Sequence, residues 1–491
     1  MGDGWIRIHP DDHVAVALRD LSAGEPVGGV TLAEPVPAGH KVALAPRAAG
    51  EPIFKYGCPI GVASRAINPG EWVHTHNLRT ALTEQAAYRF EPQGTALRAA
   101  DKPVAFRGYL RPDGRAGIRN EVWILPTVGC VNHTAQRIAE RARACFGARV
   151  DGIWAYPHPY GCSQLGDDLA HTQATLAALA RHPNAAAVLI LGLGCENNSI
   201  GSLRPFLGEL KGRRVAMMEC QGEADEEQAA LAILDGLTRE AAKDRRSLLG
   251  ADRLVIGLKC GGSDGFSGIT ANPLLGRVAE AVIAAGGTAV LTEVPEMFGA
   301  ERELMNRCAS QALFDRAASM IQDYKDYFVR HGQPVYENPS PGNREGGITT
   351  LEEKSLGCTQ KGGRAPVTQV LHMGETAGEA GLALLDGPGN DLCAVTGLAC
   401  AGAQLVLFTT GRGTPLCGPV PTLKIATHSA LARSKPAWID FNAGSLLEGA
   451  GWDGARDALL ELVCRTAEGA PTRGEARGYR EIAIFKDGVT L

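Results

Sequence analysis

EVWILPTVGCVNHTAQRIAERARACF, residues 121–146, is the stretch that decides the fold class. A short apolar run passes directly into a segment where Ile138, Ala139 and Ala142 recur at helical spacing among arginines and a glutamate. The unit then repeats. DGIWAYPHPYGC (151–162) precedes GDDLAHTQATLAALARH (166–182), and NAAAVLILGLGC (184–195) and RRVAMMEC (213–220) supply two more apolar runs. Strands alternating with helices imply βαβ units and a largely parallel sheet buried on both faces. Beyond a charged stretch at 223–246 that predicts a helix, RLVIGLKC, GTAVLTEV, LALLD, QLVLFTT, TLKIATH and AWIDF carry the buried-strand pattern to the C-terminus.

Working outward, residues 1–90 have a different character. IRIHPDDHVAVAL, GHKVALAPRAAGEPIFKYG and EWVHTHN are short β-branched runs punctuated by Gly, Pro and Asp, the signature of a small β-domain. Residues 91–105 lack periodicity and read as a linker. The expected organisation is therefore a β-domain (1–90), a linker (91–105), a middle α/β domain (106–248) and a C-terminal parallel-sheet domain (249–491). A length of 491 residues accommodates two or three domains. The segment YENPSPGNREGGITTLEEKSLGCTQKGG (336–363) reads as a long loop between strands, and loops of that length in compact domains are usually functional.

Composition excludes several classes of function. Basic and acidic residues number 49 and 54, dispersed along the chain, which argues against a phosphate-backbone binder or a polybasic membrane anchor. At 5% aromatic, stacking platforms for single-stranded nucleic acid are not expected. The longest apolar stretch, from Ala185, is too short to span a bilayer, and no signal core opens the sequence. Thirteen cysteines without a secretion signal read as reduced thiols of a cytoplasmic protein.

The common catalytic fingerprints are missing: no Walker A loop, CxxC pair, HExxH or GxSxG elbow, and GRGTPLCG lacks the spacing of a dinucleotide loop. What stands out is the placement of cysteines. Cys130, Cys162 and Cys195 each end an apolar strand and Cys260 heads KCGGSDG, at the carboxyl edge where open α/β sheets bind ligands. Singly, each is a small hydrophobe packing beside glycine; as a set, soft thiolates suit a metal or an iron–sulfur centre. His74 and His76 in HTHN alternate along an expected strand, so both would project from one face as half of a divalent-metal site, or as two solvated edge histidines. Asp264 in CGGSDGFSG and Glu293 and Glu296 in TEVPEMFGAE fall at strand ends, where oxygen ligands would hold a cation. Lys361 and Arg412 are loop cations among glycines, able to neutralise a carboxylate or a developing enolate.

Together, HTHN, GIRNEVWILPTVGCVN, YGCSQLGDD, GLGCENN, CGGSDGFSGITANP, TEVPEMFGAE, YENPSPGNREGGITTLEEKSLGCTQK, FTTGRGTP and the terminal FKDGVTL resemble the altronate/galactarate dehydratase family, in the same order from Ile6 to Leu491. The resemblance implies an N-terminal SAF domain of β-clip fold, a middle α/β domain linked with dimerisation, and a C-terminal Rossmann-like domain. It also implies a hydro-lyase dependent on iron(II) or manganese(II). Such an enzyme removes water from a sugar acid to leave a 2-keto-3-deoxy acid. HTHN resembles the altronate branch, which favours D-altronate as substrate, in hexuronate catabolism, over galactarate or a related acid. A small sugar acid and a second copy of the chain are the expected partners.

Dehydration of a 2,3-dihydroxy acid needs a base for the C2 proton, an acid for the departing 3-hydroxyl and a cation on the developing aci-carboxylate. The candidates for proton transfer are His74, His76, His158 and Lys361. Those for the metal are Asp264, Glu293 and Glu296, with the HTHN histidines as contributors from the other domain. Ser263, Asn272, Asn343 and Arg412 are expected to bind the substrate. Two rival readings stand beside this: a hydro-lyase using an iron–sulfur cluster on Cys130, Cys195 and Cys260, and a non-catalytic sugar-acid sensor. Cys58, Cys145, Cys393, Cys400 and Cys417, outside the recognised motifs, read as packing residues.

Overall fold

The computed structural model describes residues 4–82, 88–94, 97 and 103–490. The N-terminal region is built of short antiparallel strands. Trp5–Ile6, Val14–Ala17, Lys41–Ala43 and Trp72–Val73 form one sheet, and Pro52–Lys55, Cys58–Ala63 and Leu78–Arg79 another. Its core is small: Ile53, Ile60, Ile67, Val73 and Leu78 are sealed against Ala300 and Leu356 of the C-terminal region. This β-domain therefore depends on its neighbour to close one side of its core.

The middle domain has a four-stranded parallel sheet in the spatial order Gly152–Ala155, Glu121–Pro126, Ala185–Gly192, Arg214–Glu219. The two central strands are buried along their whole length, as continuous apolar runs require. Helices Asn132–Phe146 and Glu226–Ala241 cover one face, and Gly166–Ala180 with Ile200–Leu207 the other. The C-terminal domain is a seven-stranded parallel sheet, in the order Val367–Leu371, Gly381–Leu385, Thr288–Leu291, Val255–Cys260, Leu405–Thr410, Thr422–Ala426, Phe441–Asn442. The mixed α/β fold with an N-terminal β-domain expected from the sequence is thus the fold observed. The strand Val367–Leu371 was not among those expected, and AWIDF yields only the two-residue strand Phe441–Asn442.

Residues 95, 96 and 98–102 of the expected linker lie outside the described set. Ala105–Leu110 is a strand that pairs antiparallel with Ser247–Gly250, so the two ends of the middle domain run side by side. Phe106, Ala116 and Ile118 pack into the core of the C-terminal sheet. The chain thus enters the middle domain from that core and returns beside it.

Two local expectations are corrected. HTHN is not a strand. The ladder stops at Val73, and residues 74–77 turn back, with the Asn77 and Leu78 amides donating to the His74 carbonyl at 3.0 and 2.8 Å. The Asn77 side chain accepts from the His74 amide at 2.9 Å, the local bond by which Asn diverts backbone from a sheet. His74 is half-buried and His76 exposed, so they do not share a strand face. The stretch 336–363 is not a long loop either: it holds helices Pro341–Glu345 and Leu351–Thr359. Thr350 caps the second, its hydroxyl accepting from the Glu353 amide, with Glu352 and Glu353 in the first turn. Among the cysteines read as packing residues, Cys400 and Cys417 are buried, but Cys145 is exposed.

Candidate functional site

The polar centre of the C-terminal domain forms where the strands Val255–Cys260 and Thr288–Leu291 end. After Leu291 the chain turns sharply; Glu293 takes a left-handed backbone (φ 74°) and opens the short helical turn Val294–Glu296. A β-carbon-bearing residue occupies this region only when its surroundings hold it there, a condition common at functional sites. The turn brings Glu293 and Glu296 back beside Cys260, and helix Leu351–Thr359 lies across them. Lys354 and Cys358 are four residues apart on one helix face, and Lys361 follows three residues later.

The resulting cluster is dry. Lys361 Nζ donates to Cys260 Sγ and to Glu293 Oε2, both at 2.8 Å. Lys259 Nζ donates to Glu293 Oε1 and, at 2.8 Å, pairs with Asp391 Oδ1. Lys354 Nζ pairs with Glu296 Oε1 at 2.9 Å. The Cys260 and Cys358 sulfurs are 3.4 Å apart, and lie 3.3 and 3.2 Å from Glu296 Oε2. Lys259, Lys361 and Glu293 are at most 1% exposed. Burial would depress the Lys361 ammonium, but the charges of Cys260 and Glu293 outweigh it and push it well above its ordinary value. The adjacent carboxylates part company. Burial works against charge on Glu296, yet Lys354, Lys259 and Lys361 hold it well below the carboxylate range; Glu293 is pushed up by burial and by the charge on Glu296. The Cys358 thiol, hydrogen-bonded to Cys260 and buried, is raised well above its ordinary value.

Cys260, Glu296 and Cys358 offer three ligand atoms within 4.8 Å of one another, the one such triad of metal-ligating groups among the described residues. Of the carboxylates expected to bind metal, Glu296 belongs to this triad and Glu293 adjoins it through Cys260 and Lys361. Asp264 lies elsewhere. Its Oδ1 accepts from the Phe266 and Ser267 amides and the Ser267 hydroxyl, and its Oδ2 from Thr427 Oγ1 at 3.0 Å, with His428 Nε2 3.7 Å away. The Oδ1 bonds fold its loop, and Oδ2 ties that loop to Thr427 and His428. Asn272 is likewise engaged, accepting from Thr409 and donating to the Gly357 carbonyl.

A second part of the site is a cleft of about 530 Å3 between the β-domain and the C-terminal domain, lined by His40, Trp72 and His74 on one side and Pro341, Arg344 and Glu345 on the other. His74 stacks on Trp72 with ring centroids 5.4 Å apart, and its Nδ1 meets Thr349 Oγ1 at 3.1 Å. Partial burial, Lys41 and His40 lower its pKa to about 4, so the imidazole is neutral at pH 7. His76 sits at the rim, with its ring 5.4 Å from that of Trp72. Arg412 reaches the same region, pairing with Glu345 at 2.8 Å. Asn343 connects cleft and cluster: it donates to the Ser263 carbonyl and accepts from Lys354 Nζ at 3.2 Å.

The remaining candidates are elsewhere. His158 is buried in the middle domain, its ring bonded to the Pro126 carbonyl at 2.8 Å and to the Tyr160 amide. Cys130 and Cys195 are exposed on that domain, whereas Cys260 is buried in the other sheet, so the cluster set Cys130, Cys195, Cys260 is divided between two domains. Sequence reasoning passed over Cys358, Lys354, Lys259 and the buried ion group of Lys41, Lys55 and Glu353. There, Glu353 accepts from both lysines at 2.8 Å and ties the β-domain to helix Leu351–Thr359. The spacing of Lys354, Cys358 and Lys361 was a usable signal, masked by reading the segment as loop.

Comparison with known proteins follows the same divisions. Residues 3–81 match the altronate/galactarate dehydratase SAF domain, 108–242 the D-galactarate dehydratase/altronate hydrolase second domain, and 251–490 the D-galactarate/altronate dehydratase C-terminal domain. The chain is 50% identical to the altronate dehydratase of Escherichia coli (strain K12), covering 99% of this chain and 100% of that one. It is 48% identical to the altronate dehydratase of Bacillus subtilis (strain 168), covering 99% of each. With the galactarate dehydratase (L-threo-forming) of Escherichia coli (strain K12) it shares 31% identity over 98% of this chain and 96% of that one.

Proposed function

This chain belongs to the altronate/galactarate dehydratase family, and from that premise we propose that it is a hydro-lyase converting D-altronate to 2-dehydro-3-deoxy-D-gluconate and water. Identities of 50% and 48% to altronate dehydratases, against 31% to a galactarate dehydratase, support altronate over galactarate. The observation that carries the reading is the buried cluster of Lys361, Cys260, Glu293 and Glu296 at the strand ends, in a chain similar to altronate dehydratases over its full length.

Two thiols and a carboxylate at this spacing fit a compact first-row ion, and the soft donors favour iron(II) over manganese(II), which prefers oxygen. Cys260, Glu296 and Cys358 would hold it, and when bound it supplies Lewis-acid polarisation of a substrate oxygen. The chain's own groups do the rest. Arg344 in the cleft, with Arg412 beside it, offers guanidinium groups that match a sugar-acid carboxylate. Removing the C2 proton needs a group that is unprotonated at neutral pH. His74, neutral and lining the cleft, meets that requirement, and Thr349 orients its ring. Protonating the 3-hydroxyl as it leaves needs a group carrying a proton. Lys361, a buried ammonium backed by Glu293, meets it. The test is a keto-acid assay on altronate, galactarate and related acids, under reducing conditions with and without iron(II). Turnover of altronate above the others is expected; galactarate as the better substrate would reassign the specificity, and binding without turnover would remove the enzyme reading.

A further inference from the structure

The carboxyl edge of the middle-domain sheet carries a second cysteine group. Cys130 follows the strand Glu121–Pro126, Cys162 the strand Gly152–Ala155 and Cys195 the strand Ala185–Gly192, three neighbours in one sheet. All three thiols are free and exposed. Their loops are tied to one another by main-chain and amide bonds. The Gly129 amide donates to the Tyr160 carbonyl at 2.9 Å, and the Asn198 amide donates to the Gly161 carbonyl at 2.9 Å. Asn198 Nδ2 donates to the Thr127 carbonyl at 2.8 Å, and the Ser163 amide to Asn197 Oδ1 at 2.9 Å. Glu196 is folded inward, accepting from Thr127 Oγ1 and from the Leu193 and Gly194 amides. It fixes the turn instead of reaching outward.

A glycine precedes each cysteine, and two of them are needed by geometry. At Gly161 (φ 100°) a Cβ would lie 2.0 Å from the Thr127 carbonyl oxygen; at Gly194 (φ 125°) it would lie 2.8 Å from Gln221 Oε1. Gly161 therefore lets the second loop close onto the backbone of the first, and Gly194 holds a left-handed backbone that favours glycine, while all three thiols stay exposed. Cys195 Sγ accepts from Gln221 Nε2 at 3.5 Å, an N–H···S contact of the kind that tunes thiolate-bound clusters.

The group does not suit a single ion. Zn–S bonds of about 2.3 Å bring tetrahedral donors within about 4 Å of each other. Among the described residues these sulfurs form no triad within 4.8 Å. Three free thiols at the ends of three adjacent strands, not gathered closely enough for one ion, suit a larger, soft, multi-iron group. We infer that Cys130, Cys162 and Cys195 bind a cuboidal [4Fe–4S] cluster through three of its irons, leaving the fourth to an oxygen ligand such as water or a hydroxy acid. Loading is ligand exchange: three external thiolates leave as thiols, protonated by the three cysteine thiols, the fourth departs as free thiolate when water or a hydroxy acid takes its iron, and no iron changes oxidation state. The inference is independent of the dehydration site.

The test incubates full-length protein anaerobically with a synthetic tetrathiolate [4Fe–4S] complex, removes excess complex by gel filtration, and measures iron, sulfide, visible absorption and the reduced-state paramagnetic resonance. About four irons and four sulfides per chain are expected, with a broad sulfur-to-iron band. Cys130→Ser/Cys162→Ser/Cys195→Ser should lose them, whereas Cys260→Ser/Cys358→Ser should keep them. Single Cys→Ser variants, whose melting temperatures are read alongside, should each release iron to a chelator at least tenfold faster than the parent. Equal loading of parent and triple variant, loading that follows Cys260 and Cys358, or no retained sulfide would overturn the inference.

Discussion

The middle and C-terminal domains present the same architectural feature, the carboxyl edge of a parallel sheet with cysteine after a strand, and equip it in opposite ways. In the C-terminal domain, helix Leu351–Thr359 and the turn Val294–Glu296 cover the edge, so Cys260 meets Cys358, three lysines and two glutamates away from water. In the middle domain Cys130, Cys162 and Cys195 remain exposed on interlocked glycine loops. Topology places a thiol at the edge, and the covering element decides its chemistry. Under cover, low dielectric strengthens every charge interaction and shifts proton affinities. In the open, the thiols remain available to a ligand from solution.

This contrast predicts where substitutions act. The largest effect should come from the covered edge: Lys361→Ala or Glu296→Gln is expected to lower kcat about 10²–10⁴-fold, in line with loss of a proton-transfer or charge-stabilising group. Steady-state kinetics on altronate check this, and near-normal kcat in both variants would break the contrast. Chelation of anaerobic protein should abolish turnover, and iron(II) should restore it in the parent but not in Cys358→Ser.

Next come effects on domain docking. Glu353→Gln strands two buried ammonium groups, Lys41 and Lys55, and should cost about 3–5 kcal/mol by denaturant titration. Although burial raises it, the two lysines hold the Glu353 carboxyl at about 2, below its ordinary value of 4.5. A depressed carboxyl contributes its stability in full above the unfolded value and loses it as the pH falls toward the folded one. The stability gap between parent and variant should therefore narrow between about pH 5 and pH 2; a gap independent of pH would show that the ion group does not hold the domains.

At the cleft, His74→Ala should reduce kcat by about 10²-fold or more while the melting temperature moves little, and His76→Ala should do less because its ring lies at the exposed rim. Comparable kinetics in both variants would remove the distinction between a positioned and a solvated histidine. The smallest stability effect belongs to the open edge. Serine at Cys130, Cys162 or Cys195 should change stability of the metal-free protein by less than about 0.5 kcal/mol, since each side chain is exposed.

The sequence by itself determined the α/β class, the four middle-domain strands and most of the C-terminal ones. Continuous apolar runs of β-branched residues and alternating helical periods are local signals that survive without tertiary context. It also marked Cys260, Glu293, Glu296 and Lys361, because each stands just beyond such a run or in a glycine-rich segment. Only the tertiary structure joined them. Helix Leu351–Thr359, hidden inside a stretch rich in Gly, Pro and Asn, brings Cys358 to Cys260 across 98 residues of sequence and Lys354 to Glu296 across 58. It likewise separated Asp264, whose carboxylate bonds its own turn through one oxygen and Thr427 through the other, from the glutamates it was grouped with. Asn77 turned a would-be strand into a bend and gave His74 and His76 different surroundings. A residue type near a strand end is legible in one dimension, but its partners are set by which element packs over it, and that depends on contacts between residues far apart in the chain.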